Sequence, residues 1–152
     1  LVVVGGDDSK PFLSLASSLG VDHCLCFRGP QTKMRDFYSA ADLLLYPSTY
    51  ETFSNVVLES CACGLPVLTT KQIGAAQLID DNHNGFLVEN NNQIDRMSEI
   101  MKNYIELPPE AKERFSKAAL AATTDYRWDL HTNQLEDLFY KVLEDKNTPR
   151  QP

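Results

Sequence analysis

Two carboxylates, Glu51 and Glu59, bracket the stretch ETFSNVVLE with seven residues between them. A carboxylate accepts hydrogen bonds through two oxygens and suits a pair of vicinal hydroxyls. A helix opening near Phe53 or Ser54 would expose its first backbone N–H groups, with Thr52 or Ser54 available as a cap. Such an end carries about half a positive elementary charge and favours a phosphate. Glu59 then lies about five residues in, roughly 7–8 Å from the helix end at about 1.5 Å per residue. The spacing accommodates a ribose at Glu59, a diphosphate at the helix end and a polyol at Glu51. Tyr50 and Phe53 would make the site partly apolar, and Asn55 adds a polar group beside the phosphates. Val56, Val57 and Leu58 form the buried face of the helix. The same spacing also fits a solvated helical glutamate and an acid that serves only the helix dipole.

The flanking elements must hold these residues in place. ADLLLYPS (Ala41–Ser48) precedes the stretch and GLPVLTT (Gly64–Thr70) follows it, both strand-like and apolar. Strand, loop with an acid, helix with an acid, strand: this is how an α/β sheet presents polar groups at the carboxyl ends of its strands. Upstream, LVVVGG (Leu1–Gly6) reads as a buried strand and Pro11–Leu19 as a helix closed by Gly20. HCLCFRG (His23–Gly29) reads as a strand, and Thr32–Ala41 as a short helix. Downstream, Ile73–Ile79 is a short helix or turn, Asp80–Gly85 a loop and Gly85–Glu89 a strand. The remainder is helical: Asn92–Ile105, a segment entered through Pro108 and Pro109, and Trp128–Leu143. Asp145–Pro152 is a polar tail expected to fray. Five alternations of apolar strands with helices predict a Rossmann-like, doubly wound parallel sheet with helices on both faces and extra C-terminal helices.

The chain has 152 residues, 43% of them hydrophobic, and a formal net charge of −7. That suits a single domain over residues 1–152 with its own core. The acidic balance argues against nucleic acid and anionic membrane as main partners. No run approaches transmembrane length and no signal peptide is recognisable, so a soluble protein is expected. The chain opens on LVVV without a Met, as an excised piece of a longer protein would.

Four cysteines form two C-x-C pairs, Cys24/Cys26 and Cys61/Cys63. A four-thiolate zinc site is the sharp alternative. Against it, Cys61 and Cys63 fall near a helix end, roughly 200° apart around its axis. Unpaired buried cysteines fit better, along with a reducing cytoplasm. Cys24 and Cys26 are expected on one face of a strand.

The run SAADLLLYPSTYETFSNVVLESCACGLPVLTT resembles the signature region of retaining, nucleotide-sugar-dependent glycosyltransferases with two Rossmann-like domains (the GT-B fold, glycosyl transferases group 1, family 4 type). Their pattern is AD, an apolar run, P-S, then E-x7-E, then A-x-x-x-G-x-P-V. The GG after the first strand, F-x-G at Phe27–Gly29 and G-F-L-V at Gly85–Val88 fit as well. The resemblance covers Leu1–Glu89 well and the helical tail loosely. It implies the C-terminal, donor-binding half of a larger two-domain protein. By resemblance, Glu51 is catalytic and touches donor sugar hydroxyls near the reacting carbon. Thr52 and Phe53 lie against the sugar, while the N–H groups of Ser54, Asn55 and Val56 meet the diphosphate. Glu59 binds the ribose, and the turn Arg28–Gly29–Pro30 borders the base, where Arg28 either stacks or is a solvated charge.

No metal and no cofactor are implied: the nucleotide-sugar is a substrate, and helix N–H groups with upstream basic residues stabilise the leaving diphosphate. The implied partners are a nucleotide-diphosphate sugar and an N-terminal acceptor-binding domain, which would also allow peripheral membrane association. The acceptor that the resemblance implies is a lipopolysaccharide core, another lipid-linked glycan or a small molecule, with bacterial surface polysaccharide favoured by the similarity of the motif region. A strand upstream of Leu1 is central in the family's sheet, and without it a gap or an unprotected edge is expected.

Departures are visible. The family's E-G-F-G carries Thr52 and Ser54 here, which narrows the pocket. Its G-G-x-x-E loop reads IGAAQLI, with Gln77 in place of the acid. His23, His83 and His131 read as bystanders. Two other readings stand beside the transferase: a sugar-nucleotide epimerase of related fold, and a non-catalytic nucleotide-binding module in which the acids are structural. The absence of G-x-G-x-x-G argues against dinucleotide redox chemistry.

Overall fold

The computed structural model describes residues 1–147, and they divide into two units, Leu1–Phe37 and a second beginning at Tyr38. In the first, β1 (Val2–Val3) pairs in parallel with β2 (Cys26–Phe27) in the register Val2↔Cys26 and Val3↔Phe27. Helix α1 (Lys10–Ser18) follows β1, and a 3₁₀ turn at Asp22–Cys24 precedes β2. The expected strand over His23–Gly29 is therefore shorter. Cys24 closes the 3₁₀ turn and does not share a strand face with Cys26. Phe12 of α1 meets Phe27 of β2 at 6.3 Å between ring centroids.

Burial in this unit differs from expectation. Leu1 is 67% exposed, Val2 54% and Leu15 59%, and Ala16 is the sole buried residue of α1. A two-strand ladder with one helix cannot close a layer over both of its faces.

Helix α2 (Met34–Ala40) crosses from the first unit into the second. The second unit then runs β3 (Leu44–Tyr46), α3 (Asn55–Ala62), β4 (Val67–Thr70), a 3₁₀ turn at Gly74–Leu78 and β5 (Gly85–Val88). Helices α4 (Ile94–Ile105), α5 (Pro109–Ala121) and α6 (Trp128–Asn147) complete it. Of the expected polar tail, residues 145–147 end α6 and residues 148–152 lie outside the described residues. The strands pair in parallel in the order β3-β4-β5, with Leu44↔Val67↔Gly85 and Tyr46↔Thr69↔Leu87 in register. The five strands thus form two ladders rather than one sheet, and among the described residues no strand joins them.

Alternation along the strands sorts side chains onto two faces, because successive residues point oppositely. Val67 joins Val57, Cys61, Ile73, Ala75 and Ala119 in one core. Leu44 and Tyr46 pack against the same side. Leu68 joins Phe86, Met97, Ile100 and Tyr104 in the other, with Leu43 and Leu45 beside it. Helix α3 covers the first face and α4 the second, which completes the α/β layering. Thr69 and Thr70 are fully buried, and each donates its hydroxyl to a carbonyl of β3 or the residues just after it, at Tyr46 and Ser48. The last turn of α3 ends at Gly64, whose φ of +72° only glycine adopts without strain.

Helix α6 keeps its apolar residues outward: Trp128 is 84% exposed and Phe139 62%. No helix among the described residues is long and apolar enough to cross a membrane.

Candidate functional site

Strand β3 aims the chain at the loop 47–54, and α3 returns from it. The helix opens at Asn55, one residue later than expected, with Ser54 at the N-cap position in an extended conformation (φ −92°, ψ 110°). Neither Thr52 nor Ser54 caps it through a side chain. Ser54 is 2% exposed, and its Oγ is enclosed beside the Tyr46 hydroxyl.

The loop is braced from below. Glu51 forms a parallel bridge with Ile73, and the Gly74 N–H donates to the Glu51 carbonyl at 3.1 Å. Gly74 has room for no side chain: a β-carbon there would lie 1.9 Å from the Thr52 carbonyl oxygen. Sequence reasoning singled out this loop only for its missing acid, yet its glycine and backbone fix the position of Glu51. Gln77 itself is exposed in the 3₁₀ turn. On the other flank, the Phe53 ring stacks on Tyr126 at 6.0 Å and 20°.

Each acid accepts a hydrogen bond from a tyrosine. Tyr46 Oη donates to Glu51 Oε2 at 2.9 Å, and Tyr38 Oη donates to Glu59 Oε2 at 3.0 Å. Tyr38 is 5% exposed. Burial, and then the acidic partner, push the Tyr38 phenol well above the usual tyrosine range. The Tyr46 phenol is raised as well, first by burial. Both therefore remain protonated donors at neutral pH. These tyrosines went unassigned in the sequence because Tyr38 and Glu59 stand 21 residues apart.

The second unit thus gathers Glu51, Thr52, Phe53, Ser54, Asn55, Val56 and Glu59 on one loop and the helix that follows it. Glu59, Thr52 and Asn55 are exposed; Glu51, Phe53 and Val56 are half-buried. The first turn of α3 offers N–H groups to an anion, with an acid before it and another one and a half turns along. Arg28, Gly29 and Pro30 belong to the first unit, in the turn after β2, where the Gly5 N–H donates to the Gly29 carbonyl. Arg28 is exposed. An open hollow of about 610 Å³ in the second unit is lined by Gln77, Asp80, His83, Asn84, Ala118 and Tyr126 among others. Neither acid lines it, and its link to the loop is Tyr126, the stacking partner of Phe53. Loop and helix end, rather than this hollow, carry the convergent polar groups.

The four cysteines are free, and among the described residues no group of three or more His, Cys, Asp or Glu is placed to hold a metal. His23, His83 and His131 are exposed.

Known proteins resemble this chain in sequence and fold. The model of the family "Glycosyl transferases group 1" matches residues 1–121. The chain is 31% identical over 149 residues to D-inositol 3-phosphate glycosyltransferase of Streptomyces bingchenggensis, covering 93% of this chain and 32% of that protein. It is 34% identical over 109 residues to lipopolysaccharide glucosyltransferase WaaG of Escherichia coli, covering 72% and 29%. Among solved structures, Anabaena Alr3699/HepE in complex with UDP-glucose matches with a TM-score of 0.76 at 25% identity, over 92% of this chain and 40% of that one. The chain spans about a third of the length of these curated relatives. A family match over most of the chain, with the same fold, leads to one conclusion: the chain belongs to the glycosyl transferases group 1 family.

Proposed function

We propose that this chain is the donor-binding half of a retaining glycosyltransferase that takes its sugar from a nucleotide diphosphate. The observation that carries the reading is the open first turn of α3, with Glu51 before it and Glu59 after it, each acid accepting from a tyrosine hydroxyl. A diphosphate at that mouth meets the free N–H groups of the first helical turn. Glu59 then accepts from the ribose hydroxyls, and Glu51 accepts from hydroxyls of the transferred sugar near its anomeric carbon. Thr52 and Phe53 border that sugar. The assignment of Arg28, Gly29 and Pro30 to the base rests on the family pattern alone.

During transfer the anomeric carbon leaves the diphosphate oxygen and bonds to an acceptor oxygen. Negative charge grows on the departing diphosphate, where the α3 terminus acts on it. This chemistry calls for no metal. Similarity to an enzyme named for lipopolysaccharide supports a bacterial surface glycan as acceptor class, bound by a further domain at the cytoplasmic face of the membrane. The 152 residues alone are not expected to transfer sugar. Sugar transfer by this chain in isolation would contradict that assignment.

The test is a titration of the chain with UDP, GDP and ADP, read by thermal shift. At a hundredfold excess over Kd one of them should stabilise the fold by about 2.7 kcal/mol. Glu59→Ala should remove that shift, and it should lower the ligand-free Tm modestly because the buried Tyr38 hydroxyl loses its acceptor. Absence of stabilisation by all three at millimolar concentration would favour a module in which the acids are structural.

A further inference from the structure

Two phenols are committed to the two acids of the site, the buried Tyr38 and the half-buried Tyr46. Tyr46 ends β3, where its backbone is held in the ladder opposite Thr69, whose hydroxyl bonds the Tyr46 carbonyl at 2.7 Å. Tyr38 is buried in α2. Both rings are anchored on regular structure, whereas Glu51 sits on a loop and Glu59 is exposed. In each pair the phenol reaches one oxygen, Oε2, and among the described residues no protein donor bonds the other. A glutamate left free samples several rotamers, and ordering it on binding weakens affinity. A phenol that stays protonated holds the carboxylate in one of these and leaves Oε1 for the ligand.

Building on the donor-site reading, we infer that Tyr46 and Tyr38 are positioning residues: Tyr46 presets Glu51 for the sugar of the donor, and Tyr38 presets Glu59 for the ribose. The division follows from connectivity. Each phenol reaches one acid, Tyr46 lying also against the enclosed Ser54 hydroxyl, so each should govern one part of the ligand. Loss of the Tyr46 hydroxyl is felt only by a ligand that carries a sugar. Loss of the Tyr38 hydroxyl is felt by every ligand that carries a ribose.

The experiment measures Kd by calorimetry for the pairs UDP and UDP-glucose, GDP and GDP-mannose, ADP and ADP-glucose, on the unaltered chain, Tyr46→Phe and Tyr38→Phe. For the pair that binds, Tyr46→Phe should weaken the nucleotide sugar about fivefold and leave the nucleotide unchanged. Tyr38→Phe should weaken both members about fivefold and leave their ratio unchanged. Adding Tyr46→Phe to Glu51→Gln should change nothing further, since the hydroxyl acts through that carboxylate. A structural role alone would move both ligands together with Tm. Unchanged affinities in both Phe variants, or a uniform loss in Tyr46→Phe, overturn the inference while the donor site stands. Equal affinity of the unaltered chain for nucleotide and nucleotide sugar overturns the role of Tyr46. Failure of the unaltered chain to bind any of the six overturns the donor-site reading and this inference with it. Should a Phe variant not fold, a crystal structure of the unaltered chain with the bound nucleotide sugar decides. Phenol-to-carboxylate contacts kept, with Oε1 on the ligand, support the inference; contacts broken on binding overturn it.

Discussion

Gly74 and Thr52 touch through their backbones. A β-carbon on Gly74 would meet the Thr52 carbonyl oxygen at 1.9 Å and Phe53 Cα at 3.5 Å. The contact stacks the start of the 3₁₀ turn beneath the loop that carries Glu51, and the Gly74 N–H completes it. Gly74→Ala must therefore displace backbone, not a flexible side-chain tip. It should cost about 2–3 kcal/mol in urea unfolding and weaken nucleotide-sugar binding more than tenfold. A variant as stable as the parent would show that the loop yields freely.

Ser54 separates the fold from the ligand. Its hydroxyl is enclosed beside the Tyr46 phenol, so Ser54→Ala should change stability by no more than about 1 kcal/mol. The same variant should bind nucleoside diphosphate as tightly as the parent, because the enclosed hydroxyl does not face the phosphate. Paired denaturation and calorimetry read both effects. Weakened binding at unchanged stability would show that the hydroxyl reaches the ligand.

Cys61 predicts an alkaline limb. Burial pushes its thiol from 9.0 up to about 11. The raised value means that the folded state keeps the proton after the unfolded chain has released it. Its contribution is full below about pH 9 and is lost as the pH rises towards about 11. The urea midpoint should therefore fall over that window, and less steeply in Cys61→Ala. Equal slopes in the two proteins would assign the fall to the buried tyrosines, whose raised values act from about pH 10 upwards.

Phe53 and Tyr126 should be energetically coupled. Their rings stack at 6.0 Å and 20°, a geometry worth about 0.5–1.5 kcal/mol beyond area burial. A double-mutant cycle with Phe53→Leu and Tyr126→Leu should return a coupling of that size. Additive effects would mean that the loop is not held from that side.

Much of this protein is written locally. The runs at Leu44–Tyr46 and Val67–Thr70 are strands because aliphatic, β-branched and aromatic residues fill them without a charge, and Gly64 ends α3 because the turn there needs a positive φ. The acids at Glu51 and Glu59 mark the site because helix geometry converts their spacing into reach. Other features depend on the assembled chain. Period-2 alternation puts Tyr46 on the α3 face, but only the turn of the loop brings Glu51 back to it, and only packing brings Tyr38 across 21 residues to Glu59. The burial of Ser54 and the clearance at Gly74 likewise arise where separate elements meet. The exposed apolar faces of α1 and α6 make the same point from the other side: the pattern specifies a face to be covered, and coverage depends on what lies against it. Spacing along one element is local geometry and can be read from residue order; a hydrogen bond between elements depends on distances that only the closed fold sets.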